Sequence, residues 1–276
     1  MNNSNETFKN FLDLLVKTDR ILGLCKSGIS NASRSVQTYD ALLKHRERIS
    51  RKEGKELDYK KIEIEKERAR KKEEFAKIEL ESDFPTLHSF FVITLWNSLE
   101  YFIHDLCVYS IRTNRSILQN ENFSKIKITF SEYEMLDEDD RVDYVYDHLC
   151  EAFRNKPAIS KFEDLLSIVG YKPYGEYGAI SSTGKRLLIE LQNVRNVLVH
   201  KSGIVDRKFV ENCPWKNATK GEKLSISYSD YFQYNLAVEY YFASLLVRDA
   251  IKCGDDYQSL HNDYFNGGRF ENLLQE

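Results

Sequence analysis

The run from Glu190 to Glu211, ELQNVRNVLVHKSGIVDRKFVE, sets Arg195, Asn196 and His200 at the end of an apolar helix. An arginine and a histidine so placed can carry out metal-free chemistry on a phosphodiester, because one group exchanges protons near neutral pH and the other matches phosphate oxygens. Whether they meet is a matter of helical angle. At about 100° per residue, Asn193, Asn196 and His200 fall at i, i+3 and i+7 on one side, while Arg195 lies about 140° around the axis from His200. Convergence then needs the length of the Arg195 side chain together with unwinding near Gly203.

The helix that carries these groups starts after Ser181–Thr183 and ends at the Gly203 stop. Leu187, Leu188, Leu191, Val194 and Leu198 form its core-facing side. Ile189 lies within the polar strip and Val197 beside it, so the outward side is partly apolar as well. Apolar residues on two faces imply two packing partners, of which the second could be another chain. A further helix starts at the Phe84-Pro85 boundary, since proline disfavours helix at the residue before it and sits well at a helix start. In TLHSFFVITLWNSLEYFIHDLCVYSIRTN, residues Leu87, Phe90, Phe91, Leu95, Leu99, Phe102, Ile103, Leu106 and Tyr109 make a broad buried stripe. Asn97, Glu100 and His104 interrupt its other side. Glu100, flanked by Leu99, Tyr101 and Phe102, must face water or find a partner. It is either a solvent-facing acid or a carboxylate close to the basic site.

With 4 Pro and 12 Gly in 276 residues, long helical segments dominate and the fold class expected is all-α. One helix covers Phe8 to Leu24, with Gly28 as its stop. A second begins near Asn31 and runs to about Ser82 through a charged stretch that keeps no strict heptad and contains Gly54. The expected organisation is an N-terminal charged helical arm or hairpin over residues 1–83, then a helical domain over 84–276. The arm is either a solvated element or one that binds a partner or nucleic acid. Residues 119–130 read as loop, and helices resume at Asp139–Asn155, Ile159–Val169 and Ser229–Lys252. GYKPYGEYGAISSTG reads as an ordered surface loop whose Tyr171, Tyr174 and Tyr177 either pack on the helices or stack on bases.

Composition sets the limits. No apolar run approaches the roughly 20 residues of a membrane span, and the start MNNSNETFKN lacks the basic and apolar regions of a signal peptide. A soluble, cytoplasmic protein without a membrane partner is expected. Five scattered cysteines with no CxxC pair suggest neither a disulfide framework nor a zinc site, and none adjoins a histidine as a nucleophile would. A net charge of −3 excludes a chain that is basic throughout, though not a local nucleic-acid site.

RNVLVH at 195–200 resembles the arginine, four-to-six residue, histidine motif of the HEPN superfamily, in its form with asparagine after the arginine. SGIVDRKFVE resembles the way many prokaryotic members leave that helix, and LWNSLEYFIHDL at 95–106 is similar to their earlier core helix with its acidic residue. The resemblance covers roughly residues 84–249. It implies a helical bundle that forms a homodimer, with two copies of the motif helix facing one shared cleft, and often metal-independent ribonuclease activity without cofactors. Carried onto this chain, it makes His200 the general acid or base and Arg195 the ligand of the scissile phosphate. Asn196 would fix the imidazole's orientation, and Glu100 would restrain Arg195 or His200. Lys201, Arg207 and Lys208 would contact the RNA backbone, although Lys201 also suits the helix C-terminal dipole. Some HEPN toxins carry a modified tyrosine two residues after the histidine; that position here is Ser202, which puts neutralisation by that route in doubt. Two functional classes are compatible with this pattern. One is an RNA-cleaving toxin or phage-defence effector held in check by an antitoxin or defence-system partner; the other is a non-catalytic module binding RNA, nucleotide or protein.

Overall fold

Helix accounts for every regular element in the computed structural model, which describes residues 4–124 and 126–274. Residues 1–3, in the MNNSNETFKN start, and Lys125, inside the 119–130 connection, lie outside the described residues. The α-helices in chain order are α1 (Ser4–Ala32), α2 (Ser35–Glu53), α3 (Tyr59–Glu81), α4 (Pro85–Thr113), α5 (Glu121–Ser124), α6 (Phe130–Glu134) and α7 (Glu138–Ala152). They continue as α8 (Ala158–Ile168), α9 (Ser182–His200), α10 (Arg207–Asn212), α11 (Tyr228–Cys253), α12 (Tyr257–Phe265) and α13 (Glu271–Leu274). Among the described residues there is no strand, only isolated bridges such as that between Ile204 and Lys223. The chain is therefore all-α, and no helix of the described residues is long and apolar enough to cross a membrane.

By mutual packing the chain forms two compact units. The smaller comprises Val16–Phe91 and Ser225–Tyr228; the larger takes the residues up to Leu15, Val92–Leu224 and the chain from Ser229 onward. The first turns of α1 thus count with the larger unit, where a cut at 83/84 would leave them with the arm. Their aromatic residues explain this: Phe11 stacks on Phe102 with ring centroids 4.3 Å apart, and Phe8 meets Phe102 edge-on at 5.2 Å.

In the smaller unit α2 and α3 form a helical hairpin. Of the two expected forms, arm or hairpin, the chain takes the hairpin: the helical stretch from 31 to 82 is broken where Gly54 takes a left-handed φ of 66° and Asp58 caps α3 by accepting the Lys61 N–H at 3.0 Å. Across the hairpin Glu73 accepts the Val36 N–H at 2.8 Å, and Glu65 accepts from both Arg46 and Tyr39. Such exposed ion pairs contribute little stability each. The expected stop at Gly28 does not occur: α1 continues to Ala32, and Gly28 is not among the glycines with positive φ.

The larger unit is built on α4, α9 and α11. Of the expected stripe Phe91, Leu95, Leu99, Phe102, Ile103 and Leu106 are buried and Trp96 joins them, whereas Leu87 and Tyr109 are half-buried and Phe90 is exposed. α11 is buried over most of its surface from Tyr231 to Ala250, including Arg248, whose side chain is 1% exposed. That guanidinium donates from Nε to the Gly178 carbonyl at 2.6 Å and pairs through Nη1 with Glu163 at 3.0 Å. Gly178 has φ of 71°, and a Cβ there would stand 2.7 Å from Arg248 Cγ. The tyrosine segment is accordingly packed down: Tyr171 is buried with Lys252 Nζ 4.0 Å from its ring, and Tyr177 meets Tyr257 and His261 edge-on. Only Tyr174 of the three remains exposed.

Candidate functional site

The start and end of α9 are set by a few local groups. Ser181 Oγ accepts the Gly184 N–H at 3.0 Å, satisfying one of the free donors at the helix start. At the other end Lys201 and Gly203 both donate to the Val197 carbonyl, at 3.0 and 3.1 Å. Ser202 and Gly203 take left-handed φ of 52° and 79°, which turns the chain out of the helix. Gly203→Ala is expected to cost about 1–2 kcal/mol, because a Cβ is disfavoured at that φ; urea unfolding measures it.

α9 packs against α8, α10 and α13. Leu187, Leu188, Leu191 and Val194 are buried as expected, while Leu198 is only half-buried and Val197 is buried instead. The side with Ile189 and Val197 finds its cover within the same chain. Asn193, expected to project outward, is buried there: its Nδ2 donates to the Ile189 carbonyl at 2.8 Å and its Oδ1 accepts from Asn212 of α10 at 2.9 Å.

The structure brings Arg195, Asn196, His200 and Glu100 together. α9 is intact through His200, so no unwinding is needed; the reach of Arg195 alone closes the 140° gap. Its Nη1 lies 3.4 Å from His200 Nε2 and donates to Asn196 Oδ1 at 3.3 Å. Its Nε and Nη2 both donate to Asn97 Oδ1, at 3.3 and 3.2 Å, and Nη2 stands 3.8 Å from Glu100 Oε2. Three of the five guanidinium donors thereby go to neutral carbonyl oxygens, which hold the group in place, while the Glu100 carboxylate offsets part of its charge. The Arg195 side chain is 21% exposed, whereas the imidazole of His200 is at the surface. Asn196 spends its oxygen on Arg195, and no hydrogen bond joins it to His200 among the described residues.

Asn97 is the group sequence reasoning passed over. It sits one turn before Glu100 on the polar side of α4, and that i, i+3 spacing was the available signal.

Beside His200 a cleft of about 380 Å³ opens between the end of α9 and α10. Asn196, Val197, His200, Lys201, Lys208 and Phe209 line it, with Asp206 at its rim capping α10 by accepting the Phe209 N–H at 2.9 Å. Arg207 is not part of this lining; its Nε binds Glu211 at 2.6 Å and the side chain is 83% exposed.

Earlier on α9 lies a buried acid. Glu190 accepts from Tyr234 at 2.6 Å and from the Trp215 indole at 2.5 Å, and Lys216 reaches it at 3.1 Å while also binding Asp230 at 2.7 Å. All the cysteines are free. Burial pushes the Cys213 thiol up to about 12 and that of Cys107 higher still, so neither supplies a thiolate at neutral pH. Among the described residues no group of three or more His, Cys, Asp or Glu is arranged to hold a metal ion. In comparisons with known proteins, no family model, no curated protein and no solved structure matches the chain.

Proposed function

We propose that this chain is a metal-independent endoribonuclease of the HEPN type, acting inside the cell as a toxin or phage-defence effector. One observation carries the reading: a guanidinium fixed by neutral oxygens stands 3.4 Å from an exposed imidazole at the open end of a helix. His200 Nε2 takes the proton of a ribose 2′-hydroxyl, and the freed oxygen attacks the adjacent phosphorus. The bond to the 5′-oxygen breaks, leaving a 2′,3′-cyclic phosphate on one fragment and, after protonation, a 5′-hydroxyl on the other. Arg195 binds the non-bridging oxygens and offsets the charge that builds on them. In-line displacement puts attacking and leaving oxygens on opposite sides of phosphorus, beyond the reach of one ring. The second proton therefore comes from His200 of a second copy, in a homodimer whose α9 helices share one cleft. An antitoxin or defence-system protein holds the enzyme in check.

Asn97 holds Arg195 in place. Asn97→Ala removes two hydrogen bonds to a charged group, each worth about 1.5–3 kcal/mol at most. A fall in kcat/KM of roughly ten- to a hundredfold is expected from initial rates, with folding unchanged. The reading itself is tested by incubating the purified protein with total RNA in EDTA. Fragments ending in 2′,3′-cyclic phosphate support it, provided a strand with 2′-deoxyribose at the cut position resists. No cleavage under any condition, or equal cleavage by His200→Ala and Arg195→Ala, ends it and leaves a non-catalytic module that binds RNA, nucleotide or protein.

A further inference from the structure

We infer that the cleft between α9 and α10 is a one-nucleotide subsite for the residue adjoining the scissile phosphate, with Lys201 and Lys208 as its phosphate-binding cations. The inference rests on the ribonuclease reading and adds to it where the strand lies and how it is held.

Two groups of residues meet at His200. Arg195, Asn97 and Glu100 make one, and the cleft lining makes the other; Asn196 and His200 belong to both. A strand with one phosphate at Arg195 and His200 has its next nucleotide at the cleft. The dimensions agree: about 380 Å³ is near the lower end of the roughly 300–1,000 Å³ range of small-ligand clefts, room for one nucleotide and not for a folded RNA element.

The lining suits the phosphate of a nucleotide: Lys201 and Lys208 give positive charge, over a bottom closed by the buried Val197 and Phe209. Neither lysine makes an ion pair among the described residues, so that charge is available. Asp206 is the only carboxylate in the lining, and it spends one oxygen on the Phe209 N–H. Arg207 has the same charge and adjoins Lys208 in sequence, yet it turns outward to Glu211. Proximity in sequence and place in the cleft therefore make opposite predictions for Arg207, and that separates a built subsite from general surface charge.

The test measures binding apart from cleavage. A labelled single-stranded 2′-deoxy oligonucleotide, which cannot be cut, is titrated by fluorescence anisotropy across a salt series against the parent protein, Lys201→Ala, Lys208→Ala and Arg207→Ala. Each lysine change is expected to weaken binding roughly three- to tenfold and to lower the slope of log K against log salt by about 0.7–1. Arg207→Ala should leave both unchanged. In cleavage assays the lysine changes raise KM and leave kcat unaltered. Equal loss from Arg207→Ala and Lys208→Ala would overturn the subsite in favour of diffuse surface charge. A free nucleoside monophosphate that binds the parent more tightly than the oligonucleotide overturns it in favour of a soluble effector. Failures also separate: lysine-specific binding without RNA cleavage sinks the ribonuclease reading and leaves only a nucleotide-binding cleft, while cleavage indifferent to both lysines keeps that reading and sinks the subsite.

Discussion

Replacing His200 with alanine is expected to lower RNA cleavage by about 10²–10⁴-fold, the usual contribution of a positioned acid or base. Arg195→Ala is expected to lose about 10²–10³-fold, as removal of a donor to the transition-state oxyanion does elsewhere. Arg195→Lys should recover little, because an ammonium cannot span Asn97, Asn196 and a phosphate as the planar fork does. Single-turnover rates in EDTA measure all three. The losses are chemical and not structural, since His200 is exposed at the last position of α9 and its contact with Arg195 is at the surface. The thermal melt of His200→Ala should therefore overlay that of the parent. A cleavage rate unchanged in His200→Ala would remove the imidazole from the mechanism.

The largest stability effect is expected at Glu190. Its carboxylate accepts from Tyr234 and Trp215 and pairs with Lys216 while itself buried. Glu190→Ala strands a phenol and an indole N–H and leaves Lys216 with Asp230 alone, and breaking a buried ion pair in this way costs about 3–5 kcal/mol. A drop in the urea midpoint with unchanged slope reports it. The same cluster makes the fold alkali-sensitive. Burial opposes the charge on Lys216, but its hydrogen bond to Asp230 and the field of Glu190 outweigh this and raise its pKa above 10.5. Burial, then Glu190, raises Tyr234 above 10.0 in turn. Both groups hold their protons more tightly when folded. Their contribution is thus complete below pH 10 and is lost as pH rises through the folded values.

Legibility in the sequence varied with the range of the interaction concerned. Local signals were read closely: the start of α9, expected after Ser181–Thr183, falls two residues earlier at Ser182, Gly203 marks its stop, Pro85 opens α4, and the Leu187–Val194 side is core. Gly28 misled because glycine ends a helix only where the chain turns left-handed, a choice made by the residues beyond it. Helical angle placed Arg195 away from His200 correctly, but angle describes Cβ directions and the guanidinium lies several bonds further out. Asn193 was misplaced for the opposite reason: it is polar and on the outward strip, yet α10 folds over it. Asn97 was placed on the polar side of α4 beside Glu100, but its partner lies 98 residues away, and the Glu190 cluster stayed hidden because its partners lie 25 to 44 residues away, where no periodicity reaches.

The bond from Arg248 to the Gly178 carbonyl bears on time as well as shape. A segment without helix, rich in glycine and tyrosine, would ordinarily open in local fluctuations far below the cost of global unfolding. Here opening it means exposing a guanidinium that is 1% accessible and breaking its bond to the Gly178 carbonyl. The residues around Gly178 are thus coupled to α11, and their amides should exchange with solvent at the pace of that helix. An irregular stretch of chain becomes one of the slowest clocks in the molecule.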